Sequence, residues 1–444
     1  MRAPVLSREG NKRIPRSERL PFGDRLHIER FRFDNGLELL VLPDSSAKII
    51  SYNTWFRVGS RDEVTNKTGI AHLLEHMMFI ATKNMAEGEF DKLIEHAGGE
   101  SNAATWTDWT YYHENLPSSE LPLAIKVEAD RMQNLVLGKK RVASEIEVVT
   151  SERRDRVDDD VEGRVAEVLY ANAFGKTHPY GWPTIGWKSD IQGYEAKDCA
   201  SFYKTHYAPN RATIVIAGDV DPADVAKRIQ KAYGAIPASK KVRVEMQPTK
   251  PRPASEKTLR LPTPTEKIAM AWHAPRYADR DHAVALIISS LLTGGRSARL
   301  FRELIHVKEL ATEVRAGAVP FEHASLFDVS ASAREGVAIQ KSREVIEKAL
   351  KKISTVLVET DELEKVKNRY ELGFLSSLET VSGKAEQIGF SALVAQDPTH
   401  SFTRLEEVRS VTPEDVRRVS RAMFSGPCTT VLVVPSKSGK VARS

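Results

Sequence analysis

The chain has 444 residues, 41% hydrophobic and 28% charged, which is too long for one core and ordinary for a globular protein of two to four domains. Its 65 basic and 60 acidic residues leave a net charge of +5, with no dense Lys/Arg face interleaved with aromatics, so nothing points to nucleic acid. No apolar run approaches the roughly 18–20 residues that cross a bilayer, so no membrane span is expected.

Residues 1–25 read as a basic, proline-bearing arm, loosely ordered and without the apolar segment of an intact secretory signal. Glu9, Glu18 and Asp24 argue against a mitochondrial presequence, and the reading leans to a bacterial periplasmic or cytoplasmic protein. Residues 31–46 predict two strands around a turn at Asn35-Gly36, and 48–60 a further strand. From Thr68 the pattern turns helical, and 87–101 is a second helix stopped by Gly98-Gly99. Residues 102–117 return to strand-like alternation, 120–137 are an amphipathic helix, and 141–174 are a long charged helical stretch. Residues 211–220 are a buried strand. The segment 237–258 holds four prolines and six Lys/Arg residues and reads as an extended linker.

Beyond the linker the order recurs. A strand at 267–275, a helix at 280–292, a strand at 324–333 and helices at 342–356 and 360–378 follow one another. Residues 411–435 run helix, Pro-bearing connection, buried strand, as 191–219 do. The expectation is an α+β protein of two homologous α/β-sandwich-like domains: 1–25 arm, 26–236 first domain, 237–258 linker, 259–444 second domain. The two cysteines, Cys199 and Cys428, form no framework; they could pair, but two lone thiols are the simpler reading.

The stretch 69–79, GIAHLLEHMMF, sets three titratable groups in an apolar run. His72 and His76 are four apart, so a helix aims both imidazoles to one side, as two corners of a tetrahedral zinc site require. Glu75 flanks that face and could act as a base on a water. The alternative is a helix whose histidines are merely hydrogen-bonded, and spacing leaves both open. A third ligand should lie downstream. Glu152 is the best candidate, with Glu145 seven residues earlier on the same face as outer support, although a solvated charged face is the competing reading.

Together these residues resemble the pitrilysin and mitochondrial-processing-peptidase family, whose His-x-x-Glu-His order marks the inverzincins. The resemblance spans residues 30–435 and includes VGSRDE (58–63), GGESNAATWTDWTYY (98–112), EVVTSERRDR (147–156), HPYGWPTIG (178–186), YAPNRATIVIAGDV (207–220) and GGRSARLFREL (294–304). It implies a zinc metalloendopeptidase with one Zn²⁺ per chain held by His72, His76 and Glu152, Glu75 as general base and Glu145 as auxiliary acid. It also implies an edge strand that pairs with an extended peptide at Asn102 and Ala103. Trp106, Trp109 and Tyr112 are candidate pocket walls, or core aromatics; His178 is the weaker candidate, structural or substrate-flanking.

One departure stands out. Where many complete members carry an arginine and, seven positions on, a tyrosine, this chain has Ile305 and Thr312. Loss of an oxyanion donor typically costs on the order of 100- to 1000-fold in rate. The expected remedy is a clamshell heterodimer with a paralogous subunit that carries the Arg/Tyr pair; a homodimer, or substitution by Arg299, Arg302 or a lysine, is the alternative. A non-catalytic member, resembling the core subunits of a respiratory complex, or a plain peptide-binding protein, is the rival reading.

Overall fold

The computed structural model describes residues 16–240, 246 and 250–436. Seven strands, β1 (Glu18–Phe22), β2 (Leu26–Arg32), β3 (Glu38–Pro43), β4 (Ile49–Phe56), β5 (Glu100–Thr105), β6 (Thr110–Pro117) and β7 (Ala212–Gly218), form a sheet in the order β1-β2-β3-β7-β4-β6-β5. Five more, β8 (Ser255–Leu261), β9 (Lys267–Ala274), β10 (Ala311–Ala318), β11 (Ser325–Ala333) and β12 (Thr429–Pro435), form a second sheet in the order β10-β11-β9-β12-β8. The run β5-β6-β4-β7-β3 in the first matches this order strand for strand. In each sheet one pair is parallel, β3 with β7 and β8 with β12, and the other neighbours are antiparallel. The repeated helix–connection–strand signal in the sequence is this shared topology.

The first half carries helices α1 (Ile70–Met77), α2 (Glu89–His96), α3 (Leu121–Asn134), α4 (Lys139–Arg153), α5 (Val161–Ala173), α6 (Lys188–Ile191), α7 (Ala196–His206) and α8 (Pro222–Tyr233). The second half carries α9 (Arg280–Thr293), α10 (Arg299–Phe301), α11 (Ile339–Thr355), α12 (Thr360–Ser377), α13 (Val381–Val394), α14 (His400–Arg409) and α15 (Pro413–Phe424).

Each sheet buries both faces. One face of the first sheet packs Tyr52, Phe56, Ile214 and Ile216 against Leu73, Leu74 and Val149 of its own half. Its other face, through Leu40, Trp55 and Val215, is covered by Ala385, Ile388 and Leu393 of α13, a helix of the second half. The exchange is reciprocal: Val165, Leu169 and Ala173 of α5 cover Ala269, Ala271, Val431 and Val433 of the second sheet. Because each half lends a helix to the other, separating them would expose an apolar face on both sheets.

The two crossing helices start alike. Asp160 accepts the Gly163 N–H at 2.6 Å, and Thr380 accepts the Gly383 N–H at 3.0 Å, each side chain capping a helix N-terminus. A Cβ at Gly163 would lie 2.1 Å from the Arg156 carbonyl oxygen, and one at Gly383 would lie 1.9 Å from that of Ser377. Only glycine lets the chain turn this tightly from one helix into the next.

Several expectations are corrected. The segment read as a loose arm contains strand β1, although residues 1–15 lie outside the described residues. Phe22 is buried there against Phe402, with ring centroids 4.9 Å apart, and Pro21 is tolerated because β1 is an edge strand. The segment read as linker overlaps β8, which begins at Ser255 and pairs in parallel with β12; residues 241–245 and 247–249 lie outside the described residues. Residues 102–117 belong to a two-stranded hairpin, β5 with β6, and 141–174 to two helices split by a π-helical turn at Arg154–Asp158. That turn redirects the chain so that α5 can leave for the second sheet. Both cysteines are free thiols, Cys199 buried and Cys428 half-buried. Among the described residues no helix is long and apolar enough to cross a membrane.

Candidate metal centre

Helix α1 is fixed at its start by two carboxylates. Glu63 accepts from the Gly69 N–H at 2.7 Å and the Ala71 N–H at 2.9 Å, while Asp190 accepts from the Thr68 N–H at 3.2 Å and its hydroxyl at 2.8 Å. They satisfy donors that a helix N-terminus leaves unpaired. Gly69 itself has φ 91°, and a Cβ there would lie 2.2 Å from the Ile185 carbonyl oxygen, so this entry requires glycine. Burial pushes the Glu63 carboxyl well up, against the two backbone hydrogen bonds that pull it down.

From that anchor Leu73, Leu74 and Met77 enter the core, and His72, Glu75 and His76 take the face toward α4. There the structure brings together what the sequence had 76 positions apart. Glu152 Oε2 lies 3.7 Å from His72 Nε2 and 3.2 Å from His76 Nε2. Ligand atoms bound tetrahedrally to zinc at about 2.0–2.2 Å stand roughly 3.3–3.6 Å apart, so the three donors are already near coordination distance. Among the described residues His72, His76 and Glu152 form the one group of three metal-ligating side chains whose donor atoms lie within 4.8 Å of one another. The set therefore fits a divalent cation of zinc type. His72 Nδ1 and Glu152 Oε2 are buried without a hydrogen bond of good geometry, and a bound cation would satisfy the carboxylate oxygen.

Glu145 touches the far side of the same imidazole: its Oε1 is 2.9 Å from His76 Nδ1. This contact directs His76 Nε2 toward Glu152, the support that metal-binding histidines commonly receive. The two histidines titrate in opposite directions. Burial lowers His72 to about 4, more than Glu152 can restore. Burial also opposes charge on His76, but the Glu145 and Glu152 carboxylates outweigh it and raise the group to about 9. Glu152 is held below the usual carboxylate range because His76, His72 and Arg156 overcome the effect of its burial.

Glu75 does not join the triad. Burial raises its pKa, against a hydrogen bond with Thr105 and the charge of His76, and its Oε2 is buried with no partner. A carboxyl shifted upward beside a metal set is suited to take and return a proton. Thr105 closes β5, an edge strand of the first sheet, which pairs with β6 alone. Asn102 and Ala103 lie on that strand, and the Ala103 N–H donates to Asn102 Oδ1 at 2.8 Å.

The aromatic candidates separate. Trp106 is 45% exposed and borders a 350 Å³ cavity that also touches His72 and Glu152. Tyr112 is fully buried core, and Trp109 packs edge-on against Trp55 and Phe390, so neither walls the site. Trp109 stands just before β6 and Tyr112 on it, and the two side chains pack into different clusters on either side of the sheet. His178 stacks on Phe174 and takes the Tyr180 N–H at 3.0 Å, a structural position. In the second half Ile305 packs against that half's core, and the Thr312 hydroxyl donates to the Ser332 carbonyl at 3.4 Å. Arg299 is engaged by Glu362 at 2.9 and 2.5 Å, which removes it as a free substitute donor.

Sequence reasoning gave no role to Arg156, whose guanidinium is 3.0 Å from Glu152 Oε1; its i,i+4 spacing was the available signal. It also missed Thr105, the capping of α1 by Glu63, and Phe321, which reaches the cavity from the second half with no local signal.

Comparison with known proteins adds the following. Residues 39–185 match the family described as Insulinase (Peptidase family M16), and residues 194–370 match that described as Peptidase M16 inactive domain. The zinc protease PqqE of Helicobacter pylori is 29% identical over 420 residues, covering 92% of this chain and 93% of that one. The beta subunit of the mitochondrial-processing peptidase of Lentinula edodes is 26% identical over 403 residues, covering 87% and 85%. A crystal structure of a protease from Helicobacter pylori superposes with a TM-score of 0.87 at 28% identity, over 92% of this chain and 99% of that one.

Proposed function

Because the chain belongs to the M16 peptidase family, we propose that it is a zinc-dependent endopeptidase subunit that hydrolyses peptides or unfolded polypeptides bound as an extended strand. One observation carries this reading: the convergence of His72, His76 and Glu152, with Glu145 behind and the unpartnered Glu75 oxygen beside them. Relatives named as zinc proteases support the choice of metal.

His72, His76 and Glu152 would hold the ion, which when bound acidifies water and polarises a carbonyl. Glu145 fixes the His76 ring. Glu75 takes the proton from the attacking water and passes it to the leaving amine; its raised pKa makes it the stronger base for the first of these transfers. The open edge of β5 at Asn102 and Ala103 receives the substrate backbone as an added strand, which aligns its carbonyl without reading sequence.

Ile305 and Thr312 leave this chain without the arginine and tyrosine expected there, so the reading includes a paralogous partner that supplies them across a clamshell. The same departure is the observation that favours the alternative, a non-catalytic or peptide-binding member. The test is cleavage of quenched peptides by the purified chain, with and without chelator, alone and with co-purifying chains of similar size. Chelator-sensitive cleavage that falls about 10²–10⁴-fold in Glu75→Gln with zinc retained supports the peptidase. A large rise on adding the partner supports the pair, whereas full activity of the isolated chain removes the need for one. No cleavage under any of these conditions favours the non-catalytic reading.

A further inference from the structure

We propose that the groove between α11 and α15, in the second half, is a binding site for a small apolar carboxylate, by preference an aromatic acid. The groove has a volume of 420 Å³, within the usual range of small-molecule pockets. It shares no lining residue with the metal centre or the cavity beside it, so its occupancy does not depend on peptide hydrolysis.

Its shape follows from the helix. On α11 the lining side chains are Arg343, Glu347, Leu350, Lys351, Ser354 and Thr355, spaced by threes and fours so that they share one face. Twelve residues from first to last, at about 1.5 Å each, make a trough roughly 18 Å long. Arg421 and Phe424 of α15 form the facing wall, and Trp272 of β9 and Cys428 before β12 complete it from the sheet. Trp272 and Phe424 already meet edge to face, with centroids 5.2 Å apart. A further ring laid against them would extend that arrangement.

The charges that remain free decide the ligand's sign. Arg343 donates to Glu347 and to Glu256, at 2.8 Å each, which neutralises the acidic group in the trough. The Ser354 hydroxyl donates to the Leu350 carbonyl at 2.7 Å, and the Thr355 hydroxyl to the Lys351 carbonyl at 2.8 Å. The Cys428 sulfur lies 3.5 Å from the Thr430 hydroxyl, and burial pushes the thiol up, so it adds no negative charge. Lys351 and Arg421 are left, one on each wall. Both are exposed, and neither has an ion-pair partner among the described residues. A carboxylate between an ammonium and a guanidinium gains charge-assisted hydrogen bonds that a neutral group lacks, while an amine is repelled. The thiol, kept protonated, makes this a place for binding and not for covalent capture.

Calorimetric titration of the zinc-loaded chain with four probes tests this. Naphthoate carries rings and charge, naphthamide the rings alone, naphthylmethylammonium the opposite charge, and acetate the carboxylate alone. Naphthoate should bind once per chain, at least about tenfold tighter than the other three. Arg421→Gln and Lys351→Gln, at exposed positions, should each weaken it about 3- to 10-fold and leave naphthamide unchanged. Lys352→Gln, on α11 but outside the lining, should change neither, which separates a site from an effect of net charge. Chelator treatment should leave the affinity as it is. N-acetylphenylalanine, a polypeptide terminus in miniature, shows the source of the acid: weaker binding than naphthoate assigns the site to a free aromatic acid, and tighter binding to a chain end, both within the apolar carboxylate class. Equal affinity for naphthoate and naphthamide, no binding at millimolar concentration, or unchanged affinity in the double variant overturns the proposal. So does binding that is lost with the metal, because the acid would then sit on the zinc.

Discussion

The two halves share a five-strand order, one parallel pair and a crossing helix with the same glycine-bearing cap, yet among the described residues only one half gathers a metal set. Glu152 stands eight residues before the Asp160 cap of α5. The residue eight before the Thr380 cap of α13 is Leu372, 67% exposed, with Leu375 beside it at 49%. The scaffold alone therefore does not make a site; a few side chains on two helices do. What the second half retains is packing: α13 roofs the first sheet and Phe321 reaches the cavity.

The sharpest way to break this contrast is to make the first half resemble the second. Glu152→Leu should reduce bound zinc to background and abolish peptide cleavage, read by metal analysis and a quenched-peptide assay; retained zinc would mean that another group is the ligand. A smaller effect is expected one contact away. Glu145→Gln keeps the shape but weakens the hold on His76 Nδ1, and should lower zinc affinity about 10- to 100-fold in a competition titration.

The second half offers a pH test with no metal involved. Asp328 on β11 is pushed up to about 6 by burial, opposed by a backbone hydrogen bond. The folded state thus binds this proton more tightly than the unfolded chain. The group's contribution is fully present below about pH 4 and is lost as pH rises through about 6. Asp328→Asn should therefore stabilise the protein by about 1–3 kcal/mol at pH 8 and hardly at pH 4, measured by thermal unfolding at both. The smallest effect belongs to Leu372→Glu, which writes the ligand type into the second half. It should shift stability by no more than about 0.5 kcal/mol and bind no second zinc, since among the described residues the second half gathers no set of metal-ligating side chains.

Much of this was legible in the chain because periodicity and spacing are local. The helical face of His72 and His76, the acidic stretch around Glu152, the Asn35-Gly36 turn and the repeated helix–strand unit all follow from patterns a few residues long. The failures have a common physical cause. Strand β1 is charged and carries a proline, and only its pairing with β2 and the Phe22–Phe402 contact make it a strand. The reciprocal loan of α5 and α13, the break at Arg154–Asp158 that permits it, and the arrival of Phe321 beside Tyr180 depend on contacts between distant residues. The aromatic run at 106–112 misled because alternation distributes neighbours to opposite faces, leaving only Trp106 at the site.

The central claim is that one cation sits between three named atoms. Anomalous diffraction at the zinc edge from crystals of the zinc-loaded protein tests it directly. A single strong peak about 2.0–2.2 Å from His72 Nε2, His76 Nε2 and a Glu152 oxygen, with the Glu75 carboxylate outside bonding distance, is the expected result. A peak held by other side chains, or a loaded protein whose Glu152 points away from both imidazoles, would contradict it.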